Sequence, residues 1–318
     1  MSTANIAETQ IIPAIIRAEN AEVTAIASSK ETVKEIARKF EIQKVYENYE
    51  ELLKDPDIDA VYIPLPNHLH KQWTIAAAEH GKHVLSEKPA ALNTEDTIEM
   101  TNACKQKNVK FMEAFMYQFH PQHNRVKEII ADGEVGEIKL FKASFSFFMT
   151  EPEGNIRTDK NRGGGSLYDI GSYCIHSMRN VIGSEPTDIV AKAIIDPIYQ
   201  IDKSAFVQIQ LENGVSGVFD CSFNMSFRHE YEVVGTKGII KVPRAYRPDL
   251  NGGEGMVIVE KENEKREEVI QGDQYKLEIE HFSQAILDNK EPLYSIENTI
   301  NNMRVIDSCY EAIAVKSK

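Results

Sequence analysis

Cysteine is scarce in this 318-residue chain: four residues, Cys104, Cys174, Cys221 and Cys309, scattered without a CxxC pair. No disulfide framework is expected at that density, and a reducing compartment suits the chain. No run approaches 18 apolar residues, and no basic-then-apolar stretch opens the sequence. Neither a membrane helix nor a secretory leader is expected, and a cytoplasmic location is. Basic residues are also short, 36 against 49 acidic, for a net charge of −13. That argues against nucleic-acid or membrane partners, which need a basic face, and leaves any anionic ligand to local donors. No internal repeat and no low-complexity linker interrupts the chain, which is long enough for two domains.

A further absence stands at the amino end. A doubly wound nucleotide-binding domain opens on a strand and a glycine-rich turn. This chain opens "MSTANIAETQIIPAIIRAEN", which reads as a helix from Asn5, with Ile6, Ile11, Ile12, Ile15 and Ile16 as its apolar positions. Two readings stay open. One is a plain N-terminal helix. The other is a phosphate turn, Ser2-Thr3-Ala4-Asn5, whose leading strand is missing, with small residues letting backbone N–H groups at the helix start face a pyrophosphate. A sheet without its central strand would leave unpaired backbone on both neighbours, at about 1–3 kcal/mol per buried group. A start lying about ten residues upstream would leave room for a strand of ~5–6 residues.

What is present falls into two rhythms. Residues 22–28, 60–66, 83–87 and 109–115 are short apolar runs, alternating with helical stretches at 30–40, 67–81 and 93–108. Asn67 can cap the second helix and Gly81 can end it in a left-handed turn. This alternation implies right-handed βαβ crossovers and a parallel sheet over residues 1–118. Phe119-His120-Pro121 reads as the end of an inter-domain strand. From about residue 119 to 318 the pattern is α+β: a helix near 122–133, an alternating strand at 137–148, a hairpin at 204–223 turning on Asn213-Gly214, a strand pair at 231–242, and helices at 274–290 and 295–315. This implies a mostly antiparallel sheet with one helix-covered face, and a final helix that packs back on the first domain. Such a pair of domains is expected to leave a ligand cleft beyond the carboxyl ends of the parallel strands.

Four places carry chemistry. The third run, "HVLSEKPAA", ends on Glu87-Lys88-Pro89. A lysine at the carboxyl end of such a strand can lower a neighbouring hydroxyl's pKa and stabilise an alkoxide; Glu87 can hold the ammonium, and Pro89 biases Lys88 to an extended backbone. A surface strand–turn–helix corner is the plain alternative. The second place is "NRGGGSLYDIGSYCIH" (161–176), where Asp169, Tyr173 and His176 share one face if residue 167 onward is helical. A tyrosine beside a lysine could take the proton of an alcohol while hydride leaves for a nicotinamide; Asp169 could orient, and His176 could bind a second hydroxyl. A satisfied polar helix face is the alternative here. The third is the end of the run 22–28, which reads Ser28-Ser29-Lys30 where an NAD-binding domain places an acid for the ribose 2′-hydroxyl; hydroxyls and an ammonium suit the 2′-phosphate of NADP better. The fourth is "PLPNHLH" (64–70), where Pro64, Leu65 and Asn67 could flank a nicotinamide. His68 and His70 have no third ligand placed with them, so no metal is expected. Arg157 could reach a phosphate or a sugar hydroxyl.

The segments "SEKPAA" (86–91), "EAFMYQFHPQ" (113–122) and "GGGSLYDIGSYCIH" (163–176) together resemble the Gfo/Idh/MocA oxidoreductases, the glucose–fructose oxidoreductase and inositol dehydrogenase type. The second segment is most similar to the branch of dimeric dihydrodiol dehydrogenases and NADP-dependent D-xylose dehydrogenases. The resemblance implies a Rossmann domain, a C-terminal open sheet used for homodimers or homotetramers, and an alcohol of a sugar, cyclitol or diol oxidised by NADP or NAD. It implies Lys88 as the catalytic lysine, with Asp169 and Tyr173 in the active site. Ser2 to Ile6 (Ser2, Thr3, Ala4, Asn5 and Ile6), Ser28, Ser29, Lys30, Pro64, Leu65, Asn67, Glu87 and Lys88 are then expected at the cofactor, and His176, Tyr117 and Arg157 at the substrate. Inositol dehydrogenases carry histidine where this chain has Tyr173. The strand before the phosphate turn is the departure, and it makes Met1 resemble an internal methionine. A non-catalytic sensor of dinucleotide or sugar is the competing function; a proton relay, for which a sensor has no need, argues against it.

Overall fold

The computed structural model describes residues 1–315 of the chain. They form two compact units, Met1–Met116 with Tyr275–Met303, and Tyr117–Gln274 with the chain from Arg304.

The first unit opens on a helix beginning at Asn5, a π-helical turn Ala7–Ile11 running into α1 (Ile12–Arg17). There follow β1 (Ala25–Ala27), α2 (Thr32–Lys39), β2 (Lys44–Tyr46), α3 (Tyr49–Lys54), β3 (Ala60–Ile63), α4 (His70–Glu79), β4 (His83–Glu87), α5 (Thr94–Gln106) and β5 (Phe111–Ala114). Every strand pair is parallel, as βαβ crossovers require. The pairing makes two sheets rather than one, β1-β2 and β3-β4-β5. Ile63, Val84, Met100 and Phe111 anchor an apolar core between strands and helices, and Ile12, Ile26, Val33 and Ile36 form a second cluster.

Two local expectations are corrected. The stretch from Asn67 begins with a 3₁₀ turn, Asn67–Leu69, and the α-helix starts only at His70, at an N-cap position without a side-chain cap. Gly81 does end that helix region with φ 72°. Phe119-His120-Pro121 ends no strand: Met116–Phe119 is a 3₁₀ turn and the His120 ring caps α6 (Pro121–Ala131) by accepting from the Gln122 N–H. β2 and α3 answer to "KVYENYEELLK", a strand too short and too exposed to show an apolar run.

The second unit is built on one eight-stranded sheet. Its strands are β6 (Ile138–Phe148), β7 (Pro186–Ile195), β8 (Asp202–Leu211), β9 (Ser216–Ser222), β10 (Asn224–Gly235), β11 (Ile239–Val242), β12 (Glu254–Lys261) and β13 (Glu264–Gln271). The order is β13-β12-β11-β10-β6-β9-β8-β7, antiparallel throughout except for the parallel β6–β9 pair. The β8–β9 hairpin turns at Gly214, φ 84°. α6 and α7 (Ser172–Ile182) pack on one face of the sheet. The opposite face leaves Val190, Ile194 and Phe206 exposed. α8 (Gln274–Leu287) and the long α9 (Ile296–Val315) close the chain.

Candidate active site

In the first unit, β4 runs buried until Glu87 and then turns at Lys88, through a cis Lys88–Pro89 bond. Lys88 is half-buried, and its N–H donates to Glu87 Oε2 at 3.3 Å. The other Glu87 oxygen accepts from the Tyr62 hydroxyl of β3 at 2.5 Å. Burial, and then the Glu87 charge, hold that phenol protonated well above its ordinary range. Behind Glu87 lies Glu278 of α8, fully buried, with both carboxyl oxygens lacking a hydrogen-bond partner among the described residues. Burial first and the Glu87 charge second push its pKa well above the carboxylate range, so the protonated acid is favoured.

His70 is buried between two loops, its Nδ1 2.9 Å from the Pro89 carbonyl and its Nε2 2.7 Å from the Leu65 carbonyl. Burial lowers its pKa, and the neutral ring has one N–H for the two oxygens. It therefore ties the chain after β3 to the chain after β4, which fixes Leu65 relative to Lys88. Ala90 N–H donates to Glu113 Oε1 at 2.9 Å and secures the far side of the same turn.

The residues suited to a dinucleotide lie at two strand ends of this unit. Ser2 has φ 86° and its N–H donates to the Ala27 carbonyl at 2.7 Å. The N–H groups of Thr3, Ala4, Asn5 and Ile6 have no acceptor among the described residues, because Ala7 is the first to bond back, to Ala4. Free amides behind short side chains at a helix start fit a pyrophosphate. After β1, Ser28 is buried and accepts from the Lys30 N–H, while Ser29 and Lys30 are exposed. Residues 28–30 carry no carboxylate, the first being Glu31, and hydroxyls with an ammonium fit a phosphorylated ribose better than a free 2′-hydroxyl.

In the second unit, the glycine run 163–165 threads back along residues 157–159. Gly164 N–H donates to the Asp159 carbonyl and Gly165 N–H to the Arg157 carbonyl, both at 2.9 Å. A Cβ on Gly164 would come within 2.6 Å of the Arg157 carbonyl oxygen, and Gly165 adopts φ 125°. This return brings Arg157 to Asp169: its Nε donates to Oδ2 at 2.5 Å, and the Asp169 charge raises the guanidinium pKa further. The run is clamped by Asp202, the first residue of β8. Its buried Oδ2 accepts from Ser166 Oγ at 2.9 Å and Leu167 N–H at 2.7 Å, while Oδ1 accepts from Tyr310 at 2.9 Å. Burial pushes the Asp202 carboxyl up to about 6, against those three hydrogen bonds.

From Leu167 the chain makes a π-helical turn, Leu167–Gly171, before α7. Tyr173 lies buried among Tyr117, Phe145 and Tyr246, ring centroids 5.9, 5.4 and 5.5 Å away. His176 is buried one turn further on, and its Nδ1 pairs with the Tyr117 hydroxyl. Burial and the nearby Arg179 keep that ring neutral. Both members of this pair, expected at the substrate, are buried, and the Tyr117 ring borders that of Tyr173. His123 continues the network: Nε2 faces the Ala245 carbonyl at 3.0 Å, so the neutral ring's Nδ1 accepts from the Tyr231 hydroxyl at 2.8 Å.

Sequence reasoning missed Tyr62, Asp202 and Glu278. Asp202 offers no local signal, since its partners are 35, 36 and 108 residues away. Glu278 did offer one: it falls on the Tyr275–Ile279–Phe282 stripe of α8, an acid on an apolar face.

Comparison with known proteins gives consistent matches for both units. Residues 3–115 match the family model described as "Oxidoreductase family, NAD-binding Rossmann fold", and residues 123–241 match "GFO/IDH/MocA C-terminal domain". An uncharacterized oxidoreductase of Rhizobium meliloti is 35% identical over 97% of this chain and 94% of its own. A D-xylose 1-dehydrogenase (NADP(+)) of Haloferax volcanii is 32% identical, covering 98% and 95%. Among solved structures, a 3-ketoreductase from Actinomadura kijaniata in complex with NADP and TDP-benzene superposes with a TM-score of 0.92 at 29% identity, covering 98% and 95%.

Proposed function

Because the chain belongs to the GFO/IDH/MocA oxidoreductase family, we propose that it transfers hydride between NADP and a hydroxyl-bearing carbon of a sugar, cyclitol or related diol. The carrying observation is Lys88 at the carboxyl end of β4, its main chain set by Glu87, Tyr62 and the His70 tie. In an α/β sheet that end of a strand is where ligands bind.

The free amides of Thr3 to Ile6 would receive the pyrophosphate, and Ser29 and Lys30 the 2′-phosphate. Leu65 and Asn67 would flank the nicotinamide, which supplies the hydride acceptor. Lys88 stabilises the alkoxide as the hydroxyl loses its proton, and Tyr173 takes that proton. Arg157 holds Asp169 in place, so the carboxylate orients the substrate through a fixed geometry. The sensor alternative has no support from the relatives, which carry the names of dehydrogenases and reductases.

The test is cofactor reduction over a panel of aldoses, inositols and diols with NADP and NAD. Lys88→Met and Tyr173→Phe are each expected to lower kcat by at least about 10²-fold with NADP affinity largely kept. The double variant should lose little more than either single one, as groups serving one hydroxyl do. Full turnover in Lys88→Met would remove the lysine from the mechanism.

The same reading includes self-association through the open face around Val190, Phe206 and Val218, a broad shallow concavity of about 460 Å³. Phe206→Glu should shift the sedimentation coefficient to that of a monomer; an unchanged value would place the interface elsewhere.

A further inference from the structure

α8 turns one stripe inward: Tyr275, Glu278, Phe282 and Ala285, spaced three, four and three apart, are all buried. Apolar and aromatic side chains on that stripe are what a packing helix needs. Glu278 is of another kind. Its side chain is 0% exposed, and neither carboxyl oxygen has a hydrogen-bond partner among the described residues. An unpaired buried carboxyl destabilises, and an ionised one does so far more, so a methionine or leucine would hold this helix better. Packing therefore does not account for the acid.

Its surroundings lead to Glu87, and all of them belong to the first unit. From β4 comes the Glu87 carboxylate, with Lys88 next in the chain. From β3 comes Tyr62, whose hydroxyl donates to Glu87 and whose phenol also feels the Glu278 carboxyl and Tyr275. The other charged groups along α8 make bonds nearer the solvent: Glu280 Oε1 takes the Glu19 N–H at 3.1 Å and Lys276 at 3.4 Å, and His281 Nε2 takes the Leu293 N–H at 2.7 Å. Two carboxyls facing each other in a dry interior hold one charge between them, because a second ionisation meets both burial and repulsion. That charge has a use on Glu87. One of its oxygens accepts from Tyr62 and the other from the Lys88 N–H, which fastens the end of β4 to β3 and sets the first peptide of the turn.

We propose that Glu278 is a positioning residue for Lys88: it carries the proton of a one-proton pair and so leaves a single charge on Glu87, the one that anchors the lysine's turn. When bulk base removes that proton, two carboxylates repel each other behind the turn, Glu87 leaves its anchors and Lys88 moves out of line. The role in turnover rests on the reading of Lys88 as the group that stabilises the alkoxide; the shared proton does not.

The experiment follows the Lys88 amide, which donates to Glu87, by nitrogen–proton correlation NMR from pH 5 to pH 9 in the parent, Glu278→Gln and Glu278→Met. In the parent this resonance should move along a one-proton curve, and its hydrogen exchange, corrected for the intrinsic effect of pH, should quicken at least about 10-fold across it. In both variants, which differ in polarity but cannot ionise, resonance and corrected exchange should stay level. With a substrate of the panel that turns over, the ratio of kcat at pH 9 to kcat at pH 6 should be at least about 10-fold higher in Glu278→Gln than in the parent, a change that a packing role would not produce. A parent amide that does not move, or one that titrates alike in parent and variants, would overturn the proposal. Level amides in the variants with an unchanged kcat ratio would overturn the positioning role. Level amides together with full turnover in Lys88→Met would instead sink the hydride-transfer role of the lysine and leave the shared proton standing.

Discussion

Asp202 provides a test that needs no substrate. Its carboxyl is buried and pushed up to about 6, from 3.8 in the unfolded chain. A gap of about two pH units between folded and unfolded forms is worth about 3 kcal/mol. The folded pKa is the higher one, so the folded protein holds the extra proton. The stabilisation is full below pH 3.8 and is lost as pH rises through 6. Asp202→Asn keeps the size of the side chain, leaves an oxygen for Ser166 and Leu167, and cannot ionise. The stability of the variant relative to the parent should therefore rise by about 3 kcal/mol between pH 4 and pH 7, then stay level. Urea unfolding at unit pH intervals measures this, with circular dichroism as the probe, since the sole tryptophan, Trp73, is in the other unit. Exchange of the Leu167 amide, which donates to Oδ2, gives a local readout. Parallel stability curves for the two proteins, or a difference that shrinks with rising pH, would refute the clamp as described.

Two further outcomes follow from the same geometry. Gly165→Ala places a methyl group against the Asp202 carboxylate at φ 125°, a backbone that alanine rarely adopts; a loss of roughly 3 kcal/mol or more in urea unfolding is expected, and a loss under about 1 kcal/mol would show that the turn can leave Asp202 freely. Glu278→Gln replaces a buried acid whose pKa is raised, so the Glu278 contribution is present below pH 4.5 and fades as pH rises; the variant should gain on the parent from pH 5 to pH 8, followed by Trp73 fluorescence in the same unit, and a difference independent of pH would contradict it.

The fold was legible where burial writes a pattern. The parallel strand at 83–87 is buried on both faces through its centre, the one at 60–66 buries Val61 and Ile63, and both read as continuous apolar runs; the hairpin over 204–223 has alternation plus an Asn-Gly turn. β2, β7, β12 and β13 were not found. β2 has no fully buried residue, and β13 alternates exposed with half-buried charged residues, so neither concentrates apolar side chains on one face. The N-terminal alternatives could not be separated from sequence, because an isolated helix and a helix with a vacant strand slot before it have the same periodicity.

Legibility of the site divides along a different line. Lys88 stood out because a strand ending on a charged pair and a proline is a local anomaly, and Asp169 and Tyr173 because glycines followed by titratable residues are another. Their support is nonlocal. Glu87 is held by Tyr62, 25 residues away, and faces Glu278 from the far end of the chain; the Asp169 turn is held by Asp202 and Tyr310. His176 has nonlocal support as well. His176 and Tyr173 both lie in α7, after the π-helical turn, and the Tyr117 hydroxyl meets the His176 ring in the interior. Burial keeps the ring neutral, and it pairs with the phenol of Tyr117, 59 residues away, whose ring lies 5.9 Å from that of Tyr173; none of these contacts leaves a trace in local spacing.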